Sequence, residues 1–139
     1  MSIKDRDVVR VYVAGPYSNE HILKVFANMR NGMRKSTELL LNGYSPFCPW
    51  LDYHFTLMLQ KDEEISVEAY YRYSLAWLEV SDAVLVLPGS ENSKGVQAEV
   101  NLAELSMIPV FYSEEELFDY FETPVKKVED VIAEELQDA

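Results

Sequence analysis

Two apolar, β-branched stretches, each cut short by a glycine–proline pair and each followed by a helix, constrain this chain more than any other feature. The first is Val8-Val9-Arg10-Val11-Tyr12-Val13-Ala14, stopped by Gly15-Pro16; the second is Ala83-Val84-Leu85-Val86-Leu87, stopped by Pro88-Gly89. Runs of this kind, apolar at nearly every position, are strands buried on both faces, as in a parallel sheet. Parallel strands need crossover connections, so the helices between them must pack against the sheet.

The rest of the chain repeats the pattern. Ser18 or Asn19 can cap a helix over 20–41, with Ile22, Phe26, Met29, Met33 and Leu40 as its apolar stripe and Asn42-Gly43 as its C-cap. A short strand is expected over 44–47, stopped by Pro49, then an irregular stretch over 50–55 and a short helix to about residue 60. The spacing of Tyr70, Tyr73, Trp77 and Val80 predicts a helix over 66–80 that turns these rings to the core. Asp82 caps or positions the start of the strand over 83–87. A helix from about residue 94 to 106 and a strand over 108–112 follow, with Pro109 tolerable at a strand start. Ser113-Glu114-Glu115-Glu116 has capping-box spacing for a helix over 117–121, and 124–139 reads as an amphipathic C-terminal helix carrying Val125, Val128, Val131, Ile132 and Leu136. Strand and helix alternate throughout a single domain over 1–139, so the expected class is α/β: a flavodoxin-like, three-layer, doubly wound parallel sheet of four to five strands.

Composition narrows the function. A net charge of −12 argues against polymeric nucleic acid, whose binding needs clustered Lys and Arg, but leaves a single nucleotide open, because backbone amides can hold its phosphate. No apolar run approaches the roughly 20 residues of a membrane span, and the first seven residues have no apolar signal-peptide core. The single cysteine, Cys48, reads as a small core residue in a reducing cytoplasm. His21 and His54 are isolated and have no metal-ligand spacing, so no metal is expected.

Ligands in open α/β sheets bind beyond the C-terminal strand ends, where the strand order reverses. Two loops have chemistry suited to that place: 15–19, with Gly15, Pro16, Tyr17 and Asn19, and 89–95, with Gly89, Ser93, Lys94 and Gly95. The second runs into a helix whose amides and dipole favour an anion. Glu99 lies about one turn inside, on the face of Val96, Val100 and Ala103. It is either a site carboxylate directed along the sheet edge or a glutamate that merely complements the helix dipole. Tyr12 is either a site residue or strand filler. Tyr17, Trp50, Tyr53 and Phe55 can stack on a base or fill the core, and the core reading is preferred for Trp50 and Phe55. Asp52-Tyr53-His54 holds two acids of interest but reads as a solvated loop.

These residues carry a resemblance. Tyr12-Val13-Ala14-Gly15-Pro16-Tyr17 resembles the opening of the nucleoside 2-deoxyribosyltransferase superfamily, and Ser74-Leu75-Ala76-Trp77-Leu78-Glu79-Val80-Ser81-Asp82 with Ser93-x-Gly95-x-x-x-Glu99 resembles its second half. Pro46-Phe47-Cys48-Pro49, Leu87-Pro88-Gly89 and Ile108-Pro109-Val110-Phe111-Tyr112 are similar to its small phage and bacterial branch. The Ser-x-Gly-x-x-x-Glu spacing is shared with the nucleoside 5′-monophosphate N-glycosidases. Together the similarity spans roughly residues 9–113.

The resemblance implies a flavodoxin-like fold and cofactor-free cleavage of an N-glycosidic bond, by hydrolysis or base exchange, in a cytoplasmic homo-oligomer whose sites are completed by a neighbouring chain. It implies that Glu99 is the nucleophile at the anomeric carbon and that Tyr12 orients it. It further implies that Ser93 and Gly95 hold a 5′-phosphate and that Gly15 passes close to the substrate. The carboxylate is expected to be ionised at neutral pH, favoured by the helix N-terminus and the Tyr12 hydroxyl.

Two departures stand out. Ser74 occupies the position where many relatives carry an aspartate that helps protonate the leaving base; Asp52, His54 and Glu68 are the candidate replacements. If none serves, the alternative is a non-catalytic nucleotide-binding or regulatory module that kept the pocket. The first loop also lacks the arginine of the monophosphate hydrolases, which leaves a phosphate to Ser93, Lys94 and backbone amides.

Overall fold

The computed structural model describes residues 8–121 and 127–136. Four parallel strands, β1 (Arg10–Ala14), β2 (Ser45–Phe47), β3 (Ala83–Val86) and β4 (Val110–Phe111), form one sheet in the order β2-β1-β3-β4. The helices are α1 (Ile22–Leu41), α2 (Tyr53–Leu57), α3 (Val67–Leu78), α4 (Lys94–Leu105), α5 (Glu114–Phe121) and α6 (Lys127–Leu136), with a 3-10 turn over Pro49–Asp52. This is the flavodoxin-like α/β fold, with the order reversing between β1 and β3. The expected start of the last helix at 124, with Val125, lies outside the described residues, as do 137–139.

Alternation along the strands sorts the core into two layers. Val9, Val11, Val13, Ala83, Leu85 and Leu87 face Leu39 of α1 and Leu117 and Phe121 of α5. Tyr12, Ala14, Val84 and Val86 face Leu78 of α3 and Val96 and Ala103 of α4. Register aligns Tyr12 with Val84 and Ala14 with Val86, so β1 and β3 end level and open one crevice. Asp82 anchors the start of β3: its carboxylate accepts from the Arg10 amide at 2.9 Å, and its own amide donates to the Arg10 carbonyl at 2.8 Å.

Helix termini follow local chemistry. After α1 the chain turns through Gly43 at φ +87°, with the Tyr44 amide bonded to the Leu39 carbonyl and the Gly43 amide to the Leu40 carbonyl. Ser66, Ser93 and Ser113 cap α3, α4 and α5, each accepting a backbone amide three residues on. At the start of α1 neither Ser18 nor Asn19 is the cap. The helix begins at Ile22, and Asn19 instead accepts from the His21 amide, tightening the approach.

Two helical stripes differ from expectation. The buried face of α1 is Gly32, Ser36 and Leu39, with Met29 and Met33 at its margin, while Ile22, Phe26 and Leu40 are exposed. The cause is Trp50, only 1% exposed: its ring lies so close to α1 that a Cβ at position 32 would fall 2.3 Å from it. A large indole needs small partners, so packing overrides hydropathy here. On α3 the buried residues are Ser74 and Leu78, whereas Tyr73, Trp77 and Val80 face outward. Those rings build an aromatic layer with Phe47 and Phe55 over the edge of the sheet.

Candidate functional site

A cavity of about 790 Å³ opens beyond the C-terminal ends of β1 and β3. Its floor is built by the polar side chains of the second core layer. Tyr12, stacked on Phe47, points from β1 toward α4, where its hydroxyl donates to Glu99 Oε2. Ser74, brought in by α3, is buried in the same floor, where its hydroxyl opposes the upward shift of the phenol. A hydroxyl, a phenol and a carboxyl are thus buried together at the floor, with Glu99 9% exposed.

Burial dominates the electrostatics of this floor. It pushes the Glu99 carboxyl from its ordinary 4.5 up to about 7, against the opposing pull of the Tyr12 hydrogen bond. Full ionisation at neutral pH, expected from the helix start and the tyrosine, is therefore not reached: near pH 7 protonated and ionised forms coexist. The Tyr12 phenol is driven far above its usual range, first by burial and then by the neighbouring carboxylate, so it stays a donor.

The loop after β1 forms one wall. Gly15 faces the Trp50 ring, which a Cβ there would meet at 3.0 Å; its small size makes room for the indole as well as for a ligand. The Pro16 carbonyl accepts from Trp50 Nε1 at 3.0 Å, which ties the loop to the core. Tyr17 stacks on Trp50 with ring centres 6.5 Å apart, and its hydroxyl donates to Asp52 Oδ1 at 2.8 Å. Asn28 of α1 donates to the Tyr17 carbonyl at 3.1 Å. Asp52 is half-buried, and burial raises its carboxyl against the lowering effect of the Tyr17 hydroxyl.

The loop after β3 forms the opposite wall. Gly89 turns it at φ +87°, a conformation L side chains rarely adopt. The Ser93 hydroxyl accepts from the Val96 amide as the α4 cap, Lys94 opens the helix, and Gly95 lies under Tyr71, whose hydroxyl a Cβ would meet at 3.3 Å.

One cavity is lined by Tyr12, Ser74 and Glu99 below, the Gly15, Pro16, Tyr17 and Asn19 loop on one side, and Gly89, Ser93, Lys94 and Gly95 on the other; of the aromatic stacking candidates Tyr17 and Trp50 line it, and Tyr53 and Phe55 do not. Of the three replacement acids, Asp52 lines it. His54 and Glu68 do not; both are exposed, and Glu68 pairs with Arg72 at 2.7 Å. The solvated-loop reading of Asp52 is thus corrected: it ends a 3-10 turn, is half-buried and accepts from the Tyr17 hydroxyl. Lys24, Asn28 and Asn31 also line the cavity and escaped the sequence reading. Their four- and three-residue spacing, a polar stripe on an otherwise amphipathic helix, was the available signal. Tyr70 and Thr56, hydroxyl to hydroxyl, close the rim between α3 and α2.

Among the described residues no group of three or more His, Cys, Asp or Glu is placed to hold a metal ion, and no helix is long and apolar enough to cross a membrane. Cys48 is buried, and burial raises its thiol pKa.

Among solved structures, the fold is similar to that of a 2-deoxyribosyltransferase from the psychrotolerant bacterium Bacillus psychrosaccharolyticus, with a TM-score of 0.53 over 88% of this chain and 90% of that one. At 16% identity the likeness is one of fold. No curated protein matches the sequence. The match that covers most of the described strands and helices, from residue 9 to residue 113, places the chain in the family described as Domain of unknown function (DUF7768).

Proposed function

We propose that the protein cleaves the N-glycosidic bond of a nucleoside or nucleoside 5′-monophosphate through a glycosyl intermediate on Glu99. The observation that carries this reading is the buried Glu99 carboxyl, held by the Tyr12 hydroxyl at the floor of a nucleotide-sized cavity at the strand-order reversal. The relation in fold to a 2-deoxyribosyltransferase supports the same class of chemistry.

The ionised form of Glu99 attacks C1′ of the sugar. The C1′–N bond breaks with its electron pair on the base, through an oxocarbenium-like transition state that the carboxylate stabilises. Tyr12 fixes the carboxylate oxygen that does not attack. Water, or a second base, then attacks C1′ and frees the carboxylate. The amides of the β3–α4 loop with Lys94 are suited to an anionic group on the sugar.

The test is base release from a panel of ribo- and deoxyribonucleosides and their 5′-monophosphates, with and without an added acceptor base. Wild type should release base, and Glu99→Gln should lose at least about 1,000-fold in kcat. Dependence on the acceptor separates transfer from hydrolysis.

One observation favours a second reading, a binding module without turnover: the buried floor of the cavity holds a serine, Ser74, whose hydroxyl is no acid. Nucleotide binding by calorimetry without turnover, together with activity gained in Ser74→Asp, would establish it.

A further inference from the structure

A neutral nucleobase departs far faster when a proton arrives with it. The floor of the cavity has no group to deliver one. The Ser74 hydroxyl is not acidic enough, and the Tyr12 proton is held between phenol and Glu99. Two carboxyl side chains line the cavity among the described residues, Glu99 on the floor and Asp52 in the wall. If Glu99 takes the sugar, Asp52 is left for the base. Its Oδ1 is engaged by the Tyr17 hydroxyl at 2.8 Å, which fixes the plane of the carboxyl and leaves Oδ2 to carry a proton.

We propose that Asp52 is the general acid that protonates the departing base, that Tyr17 is its positioning residue, and that the substrate therefore carries a neutral purine or pyrimidine. This rests on the glycosidase reading above. In the first step Asp52 Oδ2 gives its proton to a ring nitrogen or carbonyl oxygen of the base while the C1′–N pair moves onto the base and Glu99 bonds to C1′. In the second, water bonds to C1′, its proton returns to Asp52, and the C1′–Oε pair returns to Glu99. The raised carboxyl of Asp52, a consequence of burial, suits a group that must hold a proton before the first step.

The experiment compares kcat on two substrates of nearly the same shape: 2′-deoxyguanosine, whose base needs a proton, and 7-methyl-2′-deoxyguanosine, whose base already carries the charge and leaves neutral. For a pyrimidine-specific enzyme the pair is 2′-deoxyuridine and its 5-fluoro derivative, whose base leaves more readily as an anion, and the same split is expected in a smaller measure. Asp52→Asn should lower kcat on the first substrate by about 100-fold or more and on the second by less than about threefold. Tyr17→Phe, which leaves the carboxyl in place, should show a smaller loss with the same substrate split and so keeps the test valid if Asp52→Asn folds poorly. Glu99→Gln should silence both substrates alike. Equal losses on the two substrates, or no loss, in the Asp52 and Tyr17 variants would overturn the assignment of Asp52 and leave the glycosidase reading standing. Silence of the wild type on every substrate would overturn both.

Discussion

Along β1, Val11 and Val13 turn toward α1 and α5 while Tyr12 and Ala14 turn toward α3 and α4, and the two sides bury different things. The first side is apolar and is completed by Trp50, seated on the bare backbone of Gly32 and bonded to Pro16. The second side buries a phenol hydroxyl, a serine and a carboxyl. Taking a carboxylate out of water costs free energy, and the raised pKa of Glu99 measures that cost. One face holds the sheet together so that the other can keep a group that opposes folding.

That contrast can be broken most severely from the apolar side. Trp50→Ala removes the indole that fills the space over Gly32 and Gly15. It should cost about 3–5 kcal/mol in urea unfolding and, because the Pro16 anchor goes with it, activity as well. A loss below about 1 kcal/mol would mean that the indole is not the centre of that layer.

The opposite sign is expected from the polar side. A carboxyl near 4.5 when unfolded and near 7 when folded keeps its proton longer in the native state. The contribution of this carboxyl to stability is therefore full below about pH 4.5, falls as pH rises, and is lower by on the order of 3 kcal/mol above pH 7. Glu99→Gln does not carry this slope, so at pH 8 it should be more stable than wild type while inactive. Unfolding of both proteins at pH 5 and pH 8 checks this through the difference between them. Wild-type kcat/KM should rise through about pH 7 as the carboxylate forms. A variant less stable than wild type at pH 8 would sink the comparison.

The smallest effect tests whether the helix start at the rim belongs to the fold or to the ligand. Ser93→Ala removes the cap on Val96 and should cost about 1 kcal/mol of stability. If it instead leaves stability unchanged and weakens nucleotide binding, the hydroxyl serves the ligand alone.

Much of this arrangement was legible in the residues themselves. The strands announced themselves because both faces of β1 and β3 are buried, which leaves a nearly unbroken apolar run. The Ser113 cap and the Gly43 turn are local chemistry and are legible locally, whereas the Ser93 cap was not singled out and the cap offered for α1 was wrong. What could not be read was decided at long range. The α1 stripe is not legible locally because its inner face is the one that seats Trp50 on Gly32, and Ile22 and Phe26 lie off that face. Tyr73 and Trp77 looked like core because hydropathy does not distinguish a ring facing the sheet from one in an outer aromatic layer. Asp52 looked solvated because nothing in its neighbours along the chain reveals that Tyr17, 35 positions away, donates to it.

The hydrogen bond between Tyr12 and Glu99 joins residues 87 positions apart, and the pairing of β1 with β3 is what brings them together. A contact of that span forms only after a large loop has been closed, which is slow on the scale of local helix formation. The floor of the cavity therefore depends on the pairing of distant parts of the chain and on no local segment alone.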